Sequence, residues 1–179
     1  MADRCEMTSE TLVAAKEIGP LEVEVFGSRT LCLEADGDAN LAPFTATARV
    51  RNVSPTPVII NYTTDPLRSF RSMAVWPTDR PDAAIQFNDC VGDQEMPTAM
   101  EKTVAPRDTL LVSSWTRHHN FIWSREAPNE NKPLSDLIAR DYTVRFELAM
   151  SYDRGMGPIP VAETFDVRFL AVPVVPEKE

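Results

Sequence analysis

From Asp141 to Tyr152 the chain alternates: Tyr142, Val144, Phe146, Leu148, Met150 and Tyr152 fall on one face, and Thr143, Arg145, Glu147 and Ser151 on the other. Successive strand side chains point to opposite faces of a sheet, so this stretch predicts a long strand with one face in a core. The same period of two marks Leu21–Val25, Phe44–Val50 and Thr164–Val172. Shorter apolar runs at Thr30–Ala35, Val58–Tyr62, Arg71–Trp76, Ala84–Asn88 and Thr109–Trp115 predict further strands. Thr8–Ile18 reads either as a short helix, capped by Thr8 or Ser9 and stopped by Gly19-Pro20, or as a loose arm.

Many short strands at fairly even spacing predict an all-β fold, an antiparallel two-sheet sandwich of about seven to nine strands, with a closed barrel as the structural rival. The expected organisation is an N-terminal arm or short helix over residues 1–19, one sandwich domain over 20–173 and a frayed tail over 174–179. Before Asp141, Leu134–Arg140 reads as a short helical turn feeding a Tyr at a strand start. That arrangement resembles the tyrosine corner of immunoglobulin-like sandwiches, here with Val144 where antibody domains place a Cys.

Composition narrows the function classes. A net charge of -9 argues against a duplex nucleic-acid binder and against an anionic membrane surface, because both need Lys and Arg to replace counterions. No stretch approaches the length of a transmembrane helix, and the first 20 residues hold no signal-peptide core, which favours the cytoplasm; a mature secreted or periplasmic form would look the same. Three cysteines, Cys5, Cys32 and Cys90, are too few for a disulfide scaffold and are expected to be free, partly buried thiols, with a Cys32–Cys90 bridge between sheets as the alternative. The 15 prolines sit mostly in turn-like contexts, as expected of strands joined by loops.

Candidate chemistry is sparse. Trp115-Thr116-Arg117-His118-His119-Asn120-Phe121-Ile122-Trp123 holds both histidines and two of the three tryptophans. Adjacent histidines in an extended chain point apart, so a metal site is not expected, whereas the tryptophans suit a partner or a sugar. Asp36-Gly37-Asp38-Ala39-Asn40 opens like a calcium loop but lacks its Gly and its final Glu, and reads as a hairpin turn. Asp89, Asp93 and Glu95 around Cys90 read as a solvated loop. There is no nucleophile elbow and no glycine-rich phosphate loop, so no catalytic residue and no cofactor is assigned.

Three segments, FTATARVRNVSPTPV, TVAPRDTLLVSSW and RDYTVRFELAM, follow one another over residues 44–152 in a way that resembles the bacterial intracellular proteinase inhibitor family. The resemblance implies an immunoglobulin-like sandwich that binds a proteinase. The chain departs from that family in having Arg140-Asp141 before Tyr142 and a long connection after Trp115. The expected function is therefore binding of another protein, a protease among the partners considered, through loops at one end of the sandwich. The expected contacts are Trp115, Arg117, His118, His119, Phe121, Trp123 and Arg125, with Met156 at the tip of Asp153–Pro160 as a residue for a protease pocket. An enzyme or metal-dependent protein using the Trp115–Trp123 segment, and a carbohydrate-binding or structural accessory domain, are the alternatives.

Overall fold

The computed structural model describes residues 10–33, 39–63, 69–83, 85–86, 98–119 and 140–173. Among these residues the chain forms β1 (Thr11–Ile18), β2 (Leu21–Gly27), β3 (Thr30–Leu33), β4 (Ala39–Asn52), β5 (Val58–Thr63) and β6 (Phe70–Pro77). A 3-10 turn at Pro81–Ala83 precedes β7 (Ile85–Gln86), β8 (Ala99–Val104), β9 (Thr109–His119), β10 (Arg140–Asp153) and β11 (Ile159–Pro173).

The fold is an all-β sandwich. One sheet runs β1–β2–β4–β9, antiparallel throughout. The other is built on β10, which pairs along one edge with β11 from Arg140↔Ala171 to Tyr152↔Ile159. β3 adds to β11 in parallel, and a single pair, Leu33↔Asn40, ties it to β4. Thus the 14 residues of β4 serve both sheets.

On its other edge β10 carries two strands end to end. Tyr142–Leu148 pairs with β6 and Ser151–Asp153 with β5, so β5 and β6 line successive parts of the same edge of β10. Ser69, just before β6, is tied to the end of β5. Its buried hydroxyl receives the Thr63 N–H at 2.8 Å, reaches the Thr63 hydroxyl at 2.9 Å and donates to the Thr63 carbonyl at 3.1 Å. A hydroxyl suits this place because it both donates and accepts. β8 pairs with β5 and β7 with β6, completing the sheet.

The alternation along β10 has the expected consequence: Tyr142, Val144, Phe146, Leu148, Met150 and Tyr152 are all buried. Phe146 stacks on Phe70 with ring centroids 4.8 Å apart, and Tyr142 stacks on Phe169 at 5.8 Å. Leu21, Val23 and Val25 of β2 and Ala46, Ala48 and Val50 of β4 supply the facing layer. On the solvent side Arg145 donates two hydrogen bonds to Asp166, at 2.7 and 2.8 Å, and lies over the Trp76 ring. Both partners of that ion pair are well exposed, so it contributes less than about 1 kcal/mol.

Two expectations are corrected. The helix reading of Thr8–Ile18 fails over its described part, because Thr11–Ile18 is a strand paired along its length with β2. A bulge between Leu12 and Ala14 breaks the period of two there, and Gly19, at φ 58, turns a hairpin instead of stopping a helix. Val13, Ala14 and Ile18 pack on the core, and that burial overrides a weak local preference. Cys32 is not a free thiol: it is disulfide-bonded and almost fully buried, with its partner outside the described residues.

Other boundaries move less. The third predicted strand begins at Ala39, not Phe44, so Ala39 and Asn40 of the calcium-like stretch lie in β4. The helical turn expected at residues 134–139, the Asp89–Glu95 cluster and residues 174–179 lie outside the described residues. Among the described residues no helix is long and apolar enough to cross a membrane.

Candidate functional site

One end of the sandwich is assembled around Asn52, the last residue of β4. Its side chain is fully buried and every polar atom is used. Nδ2 donates to the carbonyls of Thr56 (2.8 Å) and Val104 (2.9 Å), while Oδ1 accepts from the Ser54 N–H (2.9 Å) and hydroxyl (2.8 Å). The backbone continues the pattern: Asn52 N donates to Asp108 O, Arg107 N to Asn52 O, and Val53 N to Pro20 O. One residue therefore joins the β1–β2 turn, the β4–β5 connection and the β8–β9 turn. An amide is required because it donates and accepts at once.

The β10–β11 hairpin rises from the same end. Its base is fixed on two sides, with Tyr152 opposite Ile159 of β11 and Asp153 opposite Ile59 of β5. The Tyr152 hydroxyl also lies so close to Gly19 that a Cβ there would come within 2.4 Å of it. Above this base, Asp153 Oδ1 accepts three consecutive backbone N–H groups, from Gly155 at 2.6 Å and from Met156 and Gly157 at 3.1 Å each. Three converging donors around one oxygen require an unusual backbone, which Gly155 (φ 93) and Gly157 (φ 102) provide. A Cβ at either glycine would meet nothing within 4 Å, so the requirement for glycine is conformational and not one of space.

Met156 sits at the crown of this turn, 97% exposed. Arg154, Pro158 and Ile159 beside it are exposed as well. The side chain is thus apolar, unbranched and open to solvent on a backbone held from inside. Such an arrangement presents a knob without losing conformational freedom in the loop on binding.

The remaining expected contacts are placed elsewhere. Trp115, Arg117, His118 and His119 lie along the last part of β9, with Trp115 opposite Ala46, Arg117 opposite Phe44 and His119 opposite Ala39. Phe121, Trp123 and Arg125 lie outside the described residues. The connection that holds them enters β10 at Arg140, whereas Met156 follows the strand's other end at Asp153. At about 3.3 Å per residue these two ends stand about 40 Å apart. The structure therefore brings Trp115 through His119 onto one strand and separates them from Met156.

Sequence reasoning missed Asn52 and Asp153. The signal for the second was present: Asp followed by Gly two residues later is the spacing of an Asx turn. For Asn52 the sequence showed only the start of a polar connection, because its partners Val104, Arg107 and Asp108 are distant in the chain.

A scan of protein-family models finds no match to this chain, and a search of curated proteins finds none. Among solved structures the chain is similar to AggA, the major subunit of aggregative adherence fimbriae type I of Escherichia coli. The two share 13% identity with a TM-score of 0.39, over 85% of this chain and 95% of that one.

Proposed function

We propose that the protein is a binding module that engages another protein through the tip of the β10–β11 hairpin, and that the partner is a proteinase. The observation that carries this reading is Met156, 97% exposed on a turn whose backbone is tied to Asp153. A few side chains that fill well-packed, desolvated pockets carry most of the energy of an interface, and a side chain held out on a fixed backbone suits that role. The proteinase as partner class rests on the resemblance over residues 44–152. Much of that resemblance has a structural role, since Asn52 and Ser54 of FTATARVRNVSPTPV tie the loops together.

The test is inhibition of a panel of endoproteinases by wild type and by Met156→Asp. Placing a charge on the knob is expected to weaken inhibition by at least about 30-fold, equivalent to about 2 kcal/mol. The melting temperature should stay within about 2 °C of wild type, since an exposed tip residue contributes little to stability. Equal potency of the two proteins would remove the hairpin from the interface. The segment carrying Trp115, Arg117, His118 and His119 would then be the next face to test, through a separate Trp115→Ala variant. The Cys32 disulfide supports an oxidising compartment for the folded chain over the cytoplasm.

A further inference from the structure

We infer that the hairpin tip is read as a knob and not as a strand, and that Asp153 is the positioning residue that makes it so. This inference deepens the reading of the hairpin as the contact element and specifies how a partner meets it.

Endoproteinases hold the chain around a scissile bond extended, so that backbone N–H and C=O groups of the substrate pair with the cleft as an added strand would. An extended chain needs negative φ on both sides of the bond. Here Gly155 is at φ 93 and Gly157 at φ 102, so the bonds Arg154–Gly155 and Met156–Gly157 are both flanked by residues in a different region. Their N–H groups are also engaged: those of Gly155, Met156 and Gly157 all point inward to Asp153 Oδ1. A cleft that reads extended backbone finds no free donors in this stretch and the wrong dihedral angles. Only the side chains, above all Met156, are offered outward.

The lock has a firm anchor. Asp153 is the last paired residue of β10, opposite Ile59, and Tyr152 before it is buried against Gly19. Extending the tip therefore requires breaking all three hydrogen bonds to one carboxylate while the strand beneath stays in place. For the proteinase partner proposed above, the contact that fits is an apolar side-chain pocket that takes Met156 while the tip backbone stays unpaired with the cleft, so that the tip is held without being presented as a scissile strand.

This expectation runs against the default for such a loop, because exposed tips of small and polar residues are where proteolytic nicking concentrates. The test uses trypsin, for which Arg154 supplies a cleavage site in the tip itself, with the Arg154–Gly155 cut followed by intact-mass and fragment analysis. Cleavage of this bond in the folded wild-type protein should be slower than in a synthetic peptide spanning residues 151–160 by roughly tenfold or more, since it must wait for local opening. Asp153→Ala should recover most of that rate with the melting temperature little changed, and Asp153→Asn, whose amide oxygen still accepts, should fall between the two. A folded wild type nicked as fast as the peptide would overturn the inference. So would an Asp153→Ala protein as resistant as wild type. Should the Ala variant not fold, the comparison of wild type with the peptide still decides. The result is independent of partner binding, so a failed inhibition test of Met156→Asp and a failed lock remain distinguishable.

Discussion

Replacing Asn52 with Ala is expected to lower the unfolding free energy by about 3 to 5 kcal/mol, a large share of what holds a domain of this size together. The size follows from what the side chain leaves behind. Without Nδ2 the carbonyls of Thr56 and Val104 lose a donor, and the Val104 bond is buried, where an unsatisfied acceptor costs about 1 to 3 kcal/mol. Without Oδ1 the Ser54 N–H and hydroxyl lose their acceptor, although this side is nearer solvent and partly recovers through water. Asn52→Asp keeps the acceptor but sets a carboxylate against two carbonyl oxygens, so it is expected to be no better than Ala at neutral pH. Ser54→Ala, which removes one hydroxyl at the rim, should cost only about 1 kcal/mol. Urea unfolding with an unchanged slope decides the matter, and a loss below about 1 kcal/mol for Asn52→Ala would mean that the three connections are held by other contacts.

The legible parts of this fold share a physical reason. β2, β10 from Tyr142 to Tyr152 and β11 from Phe165 to Ala171 each carry an unbroken apolar series on one face, and a period of two survives in sequence whenever one face meets a core and the other meets water. β1 was not legible because its bulge at Leu12–Ala14 interrupts the period and because an edge strand buries only part of its apolar positions. β3 was legible as a strand from its apolar run, but its parallel pairing with β11, between residues 30–33 and 170–173, was not, because no local pattern encodes a partner so distant in the chain.

The candidate site divides in the same way. The tip was readable from its glycines and prolines, which mark a tight turn wherever they occur. The separation of Met156 from Trp115–His119 was also implicit in chain order, since one connection enters β10 and the other leaves it. Grouping both at one end required β10 to be short or bent, and 13 consecutive pairs with β11 exclude that. What could not be read was Asn52, whose role exists only once three connections have been brought to one place.

Phe146→Ala should be the most damaging truncation in the core, at about 4 kcal/mol. The ring is completely buried on β10, opposite Ser72 and Phe165, and stacks on Phe70 at 4.8 Å with planes 16° apart. Two contributions combine: the lost transfer of a buried ring with the cavity left behind, and a stacked pair worth about 0.5 to 1.5 kcal/mol beyond its area. The neighbourhood cannot collapse readily into the gap. β10 at this level is paired on both edges, and a bulge between Arg145 and Phe146 already fixes the local register with β6. Phe146→Leu keeps most of the volume and should cost about 1.5 kcal/mol or less. A double-mutant cycle with Phe70→Leu separates the two contributions, because only the stacking part is shared between the residues. Additive losses, with no coupling between Phe70 and Phe146, would show that the rings contribute volume alone. The same variants test the division of labour in the molecule: Phe146→Leu should melt earlier yet retain the partner affinity that Met156→Asp loses, since the knob is carried by the Asp153 turn and not by the middle of the strand.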